Sequence, residues 1–142
     1  MTLAIKIIKR ILFLYIAVLL LLTFAQGFLI FSPWATTALT IKETPLESAA
    51  QEMVVKAADL QETRSWYIPP QDDQKPIIIF FHGNATHALN GFFRPQYFSS
   101  FGYGFVMAEY RGYGGNDGWP SEKGFYADAR AQIQYIQRRF PQ

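Results

Sequence analysis

The sequence contains no cysteine, which excludes disulfide bonds and thiolate metal sites. It is also poor in charge, with only 17% Asp, Glu, Lys and Arg among 142 residues. The formal net charge of +2 is not spread evenly. Lys6, Lys9 and Arg10 account for it, and without them ten basic residues face eleven acidic ones. A domain with no basic surplus offers no electrostatic footprint for nucleic acid. Metal chemistry is equally thin. The only two histidines, His82 and His87, stand five apart, off the i, i+4 spacing of a helical pair, and no clear third ligand joins them. A dinucleotide fingerprint starting at Gly112 needs glycine at position 117, where Asp117 stands, and no Gly-Lys-Ser/Thr follows. No repeat or low-complexity tract is visible.

What the sequence does have is one long apolar run. Ile11 to Phe31 is 21 residues without a charge, interrupted only by Tyr15, Thr23, Gln26 and Gly27. As a helix it measures roughly 31 Å, enough for a hydrocarbon core of about 30 Å. A chain of this size cannot wrap such a rod in its own core. A cleavable signal peptide is the competing reading, with small residues at Ala25-Gln26-Gly27. The run, however, continues through Phe28-Leu29-Ile30-Phe31, past the usual length of a signal core. The expectation is an uncleaved signal anchor in contact with membrane lipid through residues 11–31. Basic residues flank only its N-terminal end, which predicts a cytoplasmic N-terminus and a remainder across the membrane.

The expected organisation is a stub and anchor over 1–32, a connector over 33–60 and a folded domain over 61–142. Pro33 and Pro45 bar a continuous helix through the connector. Leu46 to Leu60 reads either as helix or, around Met53-Val54-Val55, as strand. Thr63 to Ile68 is a strand closed by Pro69-Pro70. Ile77 to Phe81 is apolar on both faces and too short for a helix, as is a buried strand of a parallel sheet. Ala88 to Ser100 predicts a helix weakened by Gly91 and Pro95, and Phe105 to Glu109 a second buried strand. From Ser121 a helix follows, capped by that serine, with Glu122 in its first turn, Arg138 and Arg139 in its last, and Pro141 ending it. Its apolar stripe runs through Phe125, Ala129, Ile133, Ile136 and Phe140. This alternation predicts an α/β fold with a mostly parallel sheet.

Two loops follow the two buried strands. The first reads Phe80-Phe81-His82-Gly83-Asn84-Ala85. The second reads Glu109-Tyr110-Arg111-Gly112-Tyr113-Gly114, then Gly118-Trp119-Pro120-Ser121-Glu122 and Gly124. In this order, each after an apolar strand, they resemble the α/β-hydrolase superfamily, in particular a membrane-anchored branch of the serine aminopeptidase S33-like kind. The resemblance spans about Gln61 to Phe140. Asn116 stands where that family commonly has serine. The resemblance implies that the first turn supplies one backbone N–H of an oxyanion hole, at Asn84 or its neighbour Ala85, with His82 and Gly83 supporting the turn. Gly83 would let the backbone come close and adopt unusual dihedrals. Arg111, Gly112 and Gly114 read as structural, Arg111 pairing with a carboxylate or carbonyl to fix its loop.

The superfamily's nucleophile sits in a G-x-S-x-G elbow. The six serines here are Ser32, Ser48, Ser65, Ser99, Ser100 and Ser121, and none lies in that setting. A triad from Ser121, His82 or His87, and Asp117 or Asp128 is disfavoured because Ser121 is needed as a helix cap. The resemblance therefore implies the first part of a membrane-anchored serine hydrolase acting on an ester, amide or thioester, without cofactor, and inactive as this stretch alone. It also implies that Ile77 to Phe81 lacks one neighbouring strand. Such an edge invites self-association or a partner strand, so a non-catalytic single-span module binding through that edge is the alternative.

Overall fold

In the computed structural model of the chain, residues 3–36 and 41–141 are described; of the expected connector, residues 37–40 lie outside them. The chain divides into two compact units, Met1–Phe31 and Ser32–Gln142. The first is a helix, α1 (Leu3–Ile30), with no buried residue. At 28 residues it is about 42 Å long, and it is apolar enough to cross a membrane.

The second unit is a four-stranded sheet with helices on both faces. Its strands are β1 (Gln51–Lys56), β2 (Glu62–Ile68), β3 (Ile77–Phe81) and β4 (Gly104–Ala108), in the order β1-β2-β4-β3. Two helices complete it, α2 (Phe93–Ser99), preceded by a 3-10 turn over Ala88–Gly91, and α3 (Glu122–Arg139). β3 and β4 run parallel, joined through α2, whereas β1–β2 and β2–β4 are antiparallel. The sheet is thus mixed, and the expectation of a mostly parallel one is corrected. Only the connection long enough to hold a helix produces a parallel pair. The five-residue link between β1 and β2 can only fold back as a hairpin.

The hairpin also resolves the ambiguous stretch before Gln61. β1 buries Met53 and Val55 and exposes Glu52, Val54 and Lys56, the alternation of a strand with one face covered. The sheet therefore starts at Gln51, ahead of the expected domain boundary. Its turn places Leu60 at φ 70°, and Arg64 on β2 pairs with Glu52 across the strands.

β4 is the centre, with all five residues buried. Its alternate side chains feed two cores. Phe105 and Met107 join Trp66, Ile68 and Leu89 on the α2 side, while Val106 and Ala108 join Met53, Tyr67 and Ile136 on the α3 side. β3 lies at the edge, and its five residues are only half-buried. Beside it a cleft of about 500 Å³ is lined by Ile77, Ile79, Ile133, Ile136, Phe140 and neighbours.

α3 is capped as its sequence requires, Gly124 N–H donating to Ser121 Oγ at 3.1 Å. Its buried face, however, is Gly124, Asp128, Ala131, Gln132 and Ile136. The expected apolar stripe is rotated aside: Ile133 is exposed, and Phe125, Ala129 and Phe140 are half-buried. Two polar side chains hold the centre of the interface because they bind the loop after β4, a role that apolar periodicity does not register. Because Ser121 Oγ accepts a helix N–H that would otherwise lack a partner in the first turn, Ser121→Ala should lower the unfolding free energy by about 1 kcal/mol, read by tryptophan fluorescence in urea with the chain in detergent.

Candidate functional site

β3 and β4 run parallel, so the loops that follow them emerge at the same end of the sheet. This brings together the two segments singled out in the sequence. The contact is made chiefly by Glu109, the residue just past β4, which is 0% exposed. Burying a carboxylate is costly unless donors surround it. Here His82 Nε2 bonds Oε1, Ala88 N–H donates to Oε2 at 2.8 Å, and Tyr110 N–H donates to Oε1 at 3.2 Å.

His82 is fixed on its other side as well, with Nδ1 2.7 Å from Gly83 O. Both ring nitrogens therefore face oxygen acceptors. The hydrogen bonds close with the Nδ1 proton donated to Gly83 O and one proton between Nε2 and Glu109 Oε1. A ring so committed is not available as a base for a nucleophile. Its faces are packed too, against Tyr110 (4.9 Å between ring centres) and Tyr113 (5.5 Å).

The backbone of Glu109 extends the network. Its N–H donates to Ser65 Oγ at 2.9 Å, Ser65 donates to Gln132 Oε1 at 3.4 Å, and Gln132 Nε2 returns to Glu109 O at 2.7 Å. Ser65, Gln132 and Glu109 are each 0% exposed. This closed circuit ties β2, β4 and α3 together. It was not foreseen from the sequence. The available signal was an acid directly following a five-residue apolar strand, since a charge in that position is rarely buried without partners.

A second link joins Tyr113 to Asn84. Tyr113 O–H donates to Asn84 Oδ1 at 2.7 Å, and Ser32 N–H points at the same pair, 3.0 Å from the phenol oxygen and 3.1 Å from the amide oxygen. Asn84 Oδ1 also accepts from Ala85 N–H at 2.9 Å. The left-handed backbone of this turn falls on Ala85 (φ 53°) and not on Gly83, which corrects the expected role of that glycine. The bond from Asn84 to the Ala85 amide offsets the cost, of order 1–2 kcal/mol, of placing alanine there. A Cβ added at Gly83 would meet open space.

Arg111 fixes its loop through carboxylates, as expected. Its Nε and Nη2 engage Asp128, Nη2 at 2.6 Å, while Nη1 and Nη2 bind Asp59 at 2.6 and 3.0 Å. Its backbone N–H adds a bond to Asp128 Oδ2 at 3.0 Å. The hydrogen bonds it donates to Asp128 and then Asp59 hold the guanidinium far above its ordinary range, and Arg111 in turn holds the Asp59 carboxyl below its own. Gly112 and Gly114 take left-handed backbone, and a Cβ at Gly114 would collide with the Glu109 carboxylate. Asn116 serves as a ladder partner for β2, accepting from Arg64 N–H at 2.8 Å and donating to Arg64 O at 3.0 Å. Burial, with Glu109 and Asp128 adding, pushes the Tyr110 phenol up to about 12, so it stays protonated.

No candidate triad assembles around Ser121, whose oxygen accepts the helix N–H. Among the described residues no group of three or more His, Asp or Glu side chains is placed to hold a metal ion.

No protein-family model matches the chain. Over 77 residues it is 39% identical to lysophosphatidylserine lipase ABHD12 of Danio rerio, which covers 52% of this chain and 20% of that protein. It is 33% identical over 89 residues to an uncharacterised protein of Mycobacterium tuberculosis, covering 62% of this chain and 32% of the other. Among solved structures, an alpha-beta hydrolase from Vibrio vulnificus superposes with a TM-score of 0.57 at 24% identity, over 68% of this chain and 33% of that one. The Pyrococcus furiosus esterase Pf2001 gives 0.59 at 19%, over 75% and 42%. The chain is related to the α/β-hydrolase superfamily. The structural likenesses carry the fold alone, and the chain spans about a fifth to a third of the length of the curated relatives it matches. Within an α/β-hydrolase sheet the His82 turn and the Arg111 loop both lie at the strand ends where ligands bind in open α/β folds.

Two measurements test the polar framework. Asp128→Ala, which leaves the Arg111 guanidinium with the half-exposed Asp59 alone, should cost about 3 kcal/mol, and Asp59→Ala much less because the fully buried partner remains. The second concerns His87. Burial holds its imidazole below the ordinary 6.5, with Glu109 pulling upward and His82 downward. The native state therefore favours neutral His87, and the unfolded chain takes up the proton first. Stability should be complete above about pH 6.5 and fall as pH drops below it, and His87→Gln should flatten that limb in denaturation curves.

Proposed function

We propose that residues 51–141 form the scaffold and one oxyanion donor of a membrane-anchored serine hydrolase of the S33-like kind, which cleaves an ester, amide or thioester. The donor is the Asn84 backbone N–H. The observation that carries the reading is the Glu109–His82 and Tyr113–Asn84 pairing, which clamps the first turn from the second loop. Acyl transfer builds negative charge on a carbonyl oxygen, and a donor held still before that charge appears contributes about 3–4 kcal/mol. The open space above Gly83 leaves room for an acyl group to approach. The lipase in the zebrafish relative's name supports an ester among the three acyl classes.

The attacking serine, its histidine and its acid lie outside residues 1–142 in this proposal, because no serine here sits in a G-x-S-x-G turn and His82 is committed to Glu109. The stretch alone is inactive. α1 anchors it in the membrane as an uncleaved signal anchor, with Lys6, Lys9 and Arg10 on the cytoplasmic side and the hydrolase part across the membrane. No cofactor takes part.

A non-catalytic reading is supported by the open edge of β3 and the adjoining apolar cleft, which would accept a strand or a second copy by edge pairing. One experiment separates the two. The purified chain is treated with a fluorophosphonate, and so is the species captured from native membranes by an antibody to residues 61–141. The hydrolase reading expects no label on the chain and a labelled G-x-S-x-G serine in the captured species, on the same polypeptide or one bound to it. Label on any of the six native serines would overturn it, and a captured, unlabelled complex of fixed stoichiometry would favour the edge-binding module.

A further inference from the structure

The guanidinium groups in this fold are treated unequally. Arg111 binds two carboxylates, and Arg64 pairs with Glu52. Arg94, on α2, is half-buried yet receives no carboxylate among the described residues. It is nevertheless held in place. Its guanidinium carbon lies 4.8 Å from the centre of the Phe80 ring and 4.6 Å from that of Phe93. A Cβ at Gly91 would strike Nη1, so the glycine one turn earlier opens the space the group occupies. A cation held over ring faces in this way spends none of its N–H donors on them, which leaves the guanidinium fork for a planar or tetrahedral oxyanion.

That group lines a cleft of about 300 Å³ shared with Phe80, His82, Gly83, Thr86 and His87. The cleft therefore runs from Arg94 to the turn assigned above to the oxyanion. Its wall is ordered, with Asn90 Nδ2 donating to Thr86 Oγ1 at 2.8 Å. The neighbouring carboxylate, Glu109, is fully buried, and its oxygens are occupied by His82, Ala88 and Tyr110.

We infer that this cleft is an anion subsite in which Arg94 holds a phosphate or carboxylate carried by the acyl substrate. The inference rests on the proposed hydrolase reading for its link to an acyl group, but the anion site itself does not. The substrate class becomes an acyl compound with a negatively charged substituent near the scissile bond, as opposed to a neutral ester.

The test uses the full chain in a non-ionic detergent, with ¹⁵N-labelled arginine, titrated with sn-glycerol 3-phosphate, with inorganic phosphate, and with chloride at matched ionic strength. The Arg94 Nε–Hε signal should shift saturably with glycerol 3-phosphate and not with chloride, while the Arg111 signal stays in place and reports the intact fold. Arg94→Gln should weaken binding about tenfold or more, as expected for loss of a charged hydrogen-bonding partner. Arg94→Lys, which keeps the charge but not the fork, should recover only part. An unsaturable drift, or equal shifts at the exposed Arg138 and Arg139, would overturn the site. Inorganic phosphate binding as tightly as the phosphate ester would overturn the substrate assignment in favour of free phosphate. The fluorophosphonate experiment is independent: its expected result with a flat titration sinks the subsite alone, and a saturable titration with label on this chain's own serine sinks the hydrolase reading.

Discussion

A carboxylate with no exposure to solvent organises this fold. Glu109 stands at the end of the most buried strand, where an unpaired charge could not be tolerated, and each donor that relieves it comes from a different part of the chain. His82 comes from the turn after β3, and Ala88 from the 3-10 turn leading to α2. Ser65 on β2 and Gln132 on α3 close on its backbone. Apolar packing brings the sheet and helices together without much directional preference. This one side chain determines how the two loops meet. Arg111, two residues further along, extends the same logic outward, since it binds Asp128 on α3, which is also 0% exposed.

The edge position of β3 follows from the same sheet and has the opposite character. Five apolar residues in sequence describe a strand covered on both faces and paired on both sides, yet here each remains half-buried with pairing to β4 alone. Ile133, exposed on α3, and the cleft running to Phe140 lie along the same unpaired flank. Sequence composition and burial disagree there because the composition specifies more neighbours than residues 32–141 provide. Both proposed readings take up that mismatch and differ over what would complete the edge.

The sequence was most informative where a single rule dominated. The bounds of β3, the Ser121 cap, the long α1 helix and the carboxylate anchoring of Arg111 each follow from one local demand: apolar run, unsatisfied N–H groups, bilayer-length hydrophobicity, a charge in a glycine-rich loop. It was least informative where the demand was tertiary. The face of α3 was misjudged because Asp128 and Gln132 are inward-facing for hydrogen bonding, and an apolar count places such residues outside. The mixed sheet turned on β1, a strand whose alternation is blurred by Val54, an apolar residue on its solvent side. At the site, His82 and Asn84 were found as members of a turn, but their partners Glu109 and Tyr113, some 27 and 29 residues away, required parallel pairing of β3 and β4 before they could be joined. The left-handed residue was also misplaced, since Asn84 lends its side chain to Ala85 and relieves Gly83 of that duty.

These details bear on how such a turn could serve catalysis. An oxyanion donor is useful only if it is in place before charge develops, because a donor that must reorganise repays its advantage during the reaction. In this chain the turn is held by His82 to Glu109, Asn84 to Tyr113 and Ala85 to Asn84, all bonds among residues of the scaffold itself. None of them requires a nucleophile to be present. On the proposed reading, folding of the first strands would set the geometry of the donor, and the reacting groups would be delivered to a turn already formed. On that argument the buried His82–Glu109 pair is not spent chemistry but the reason an Asn84 N–H can be rigid at the exposed end of an edge strand.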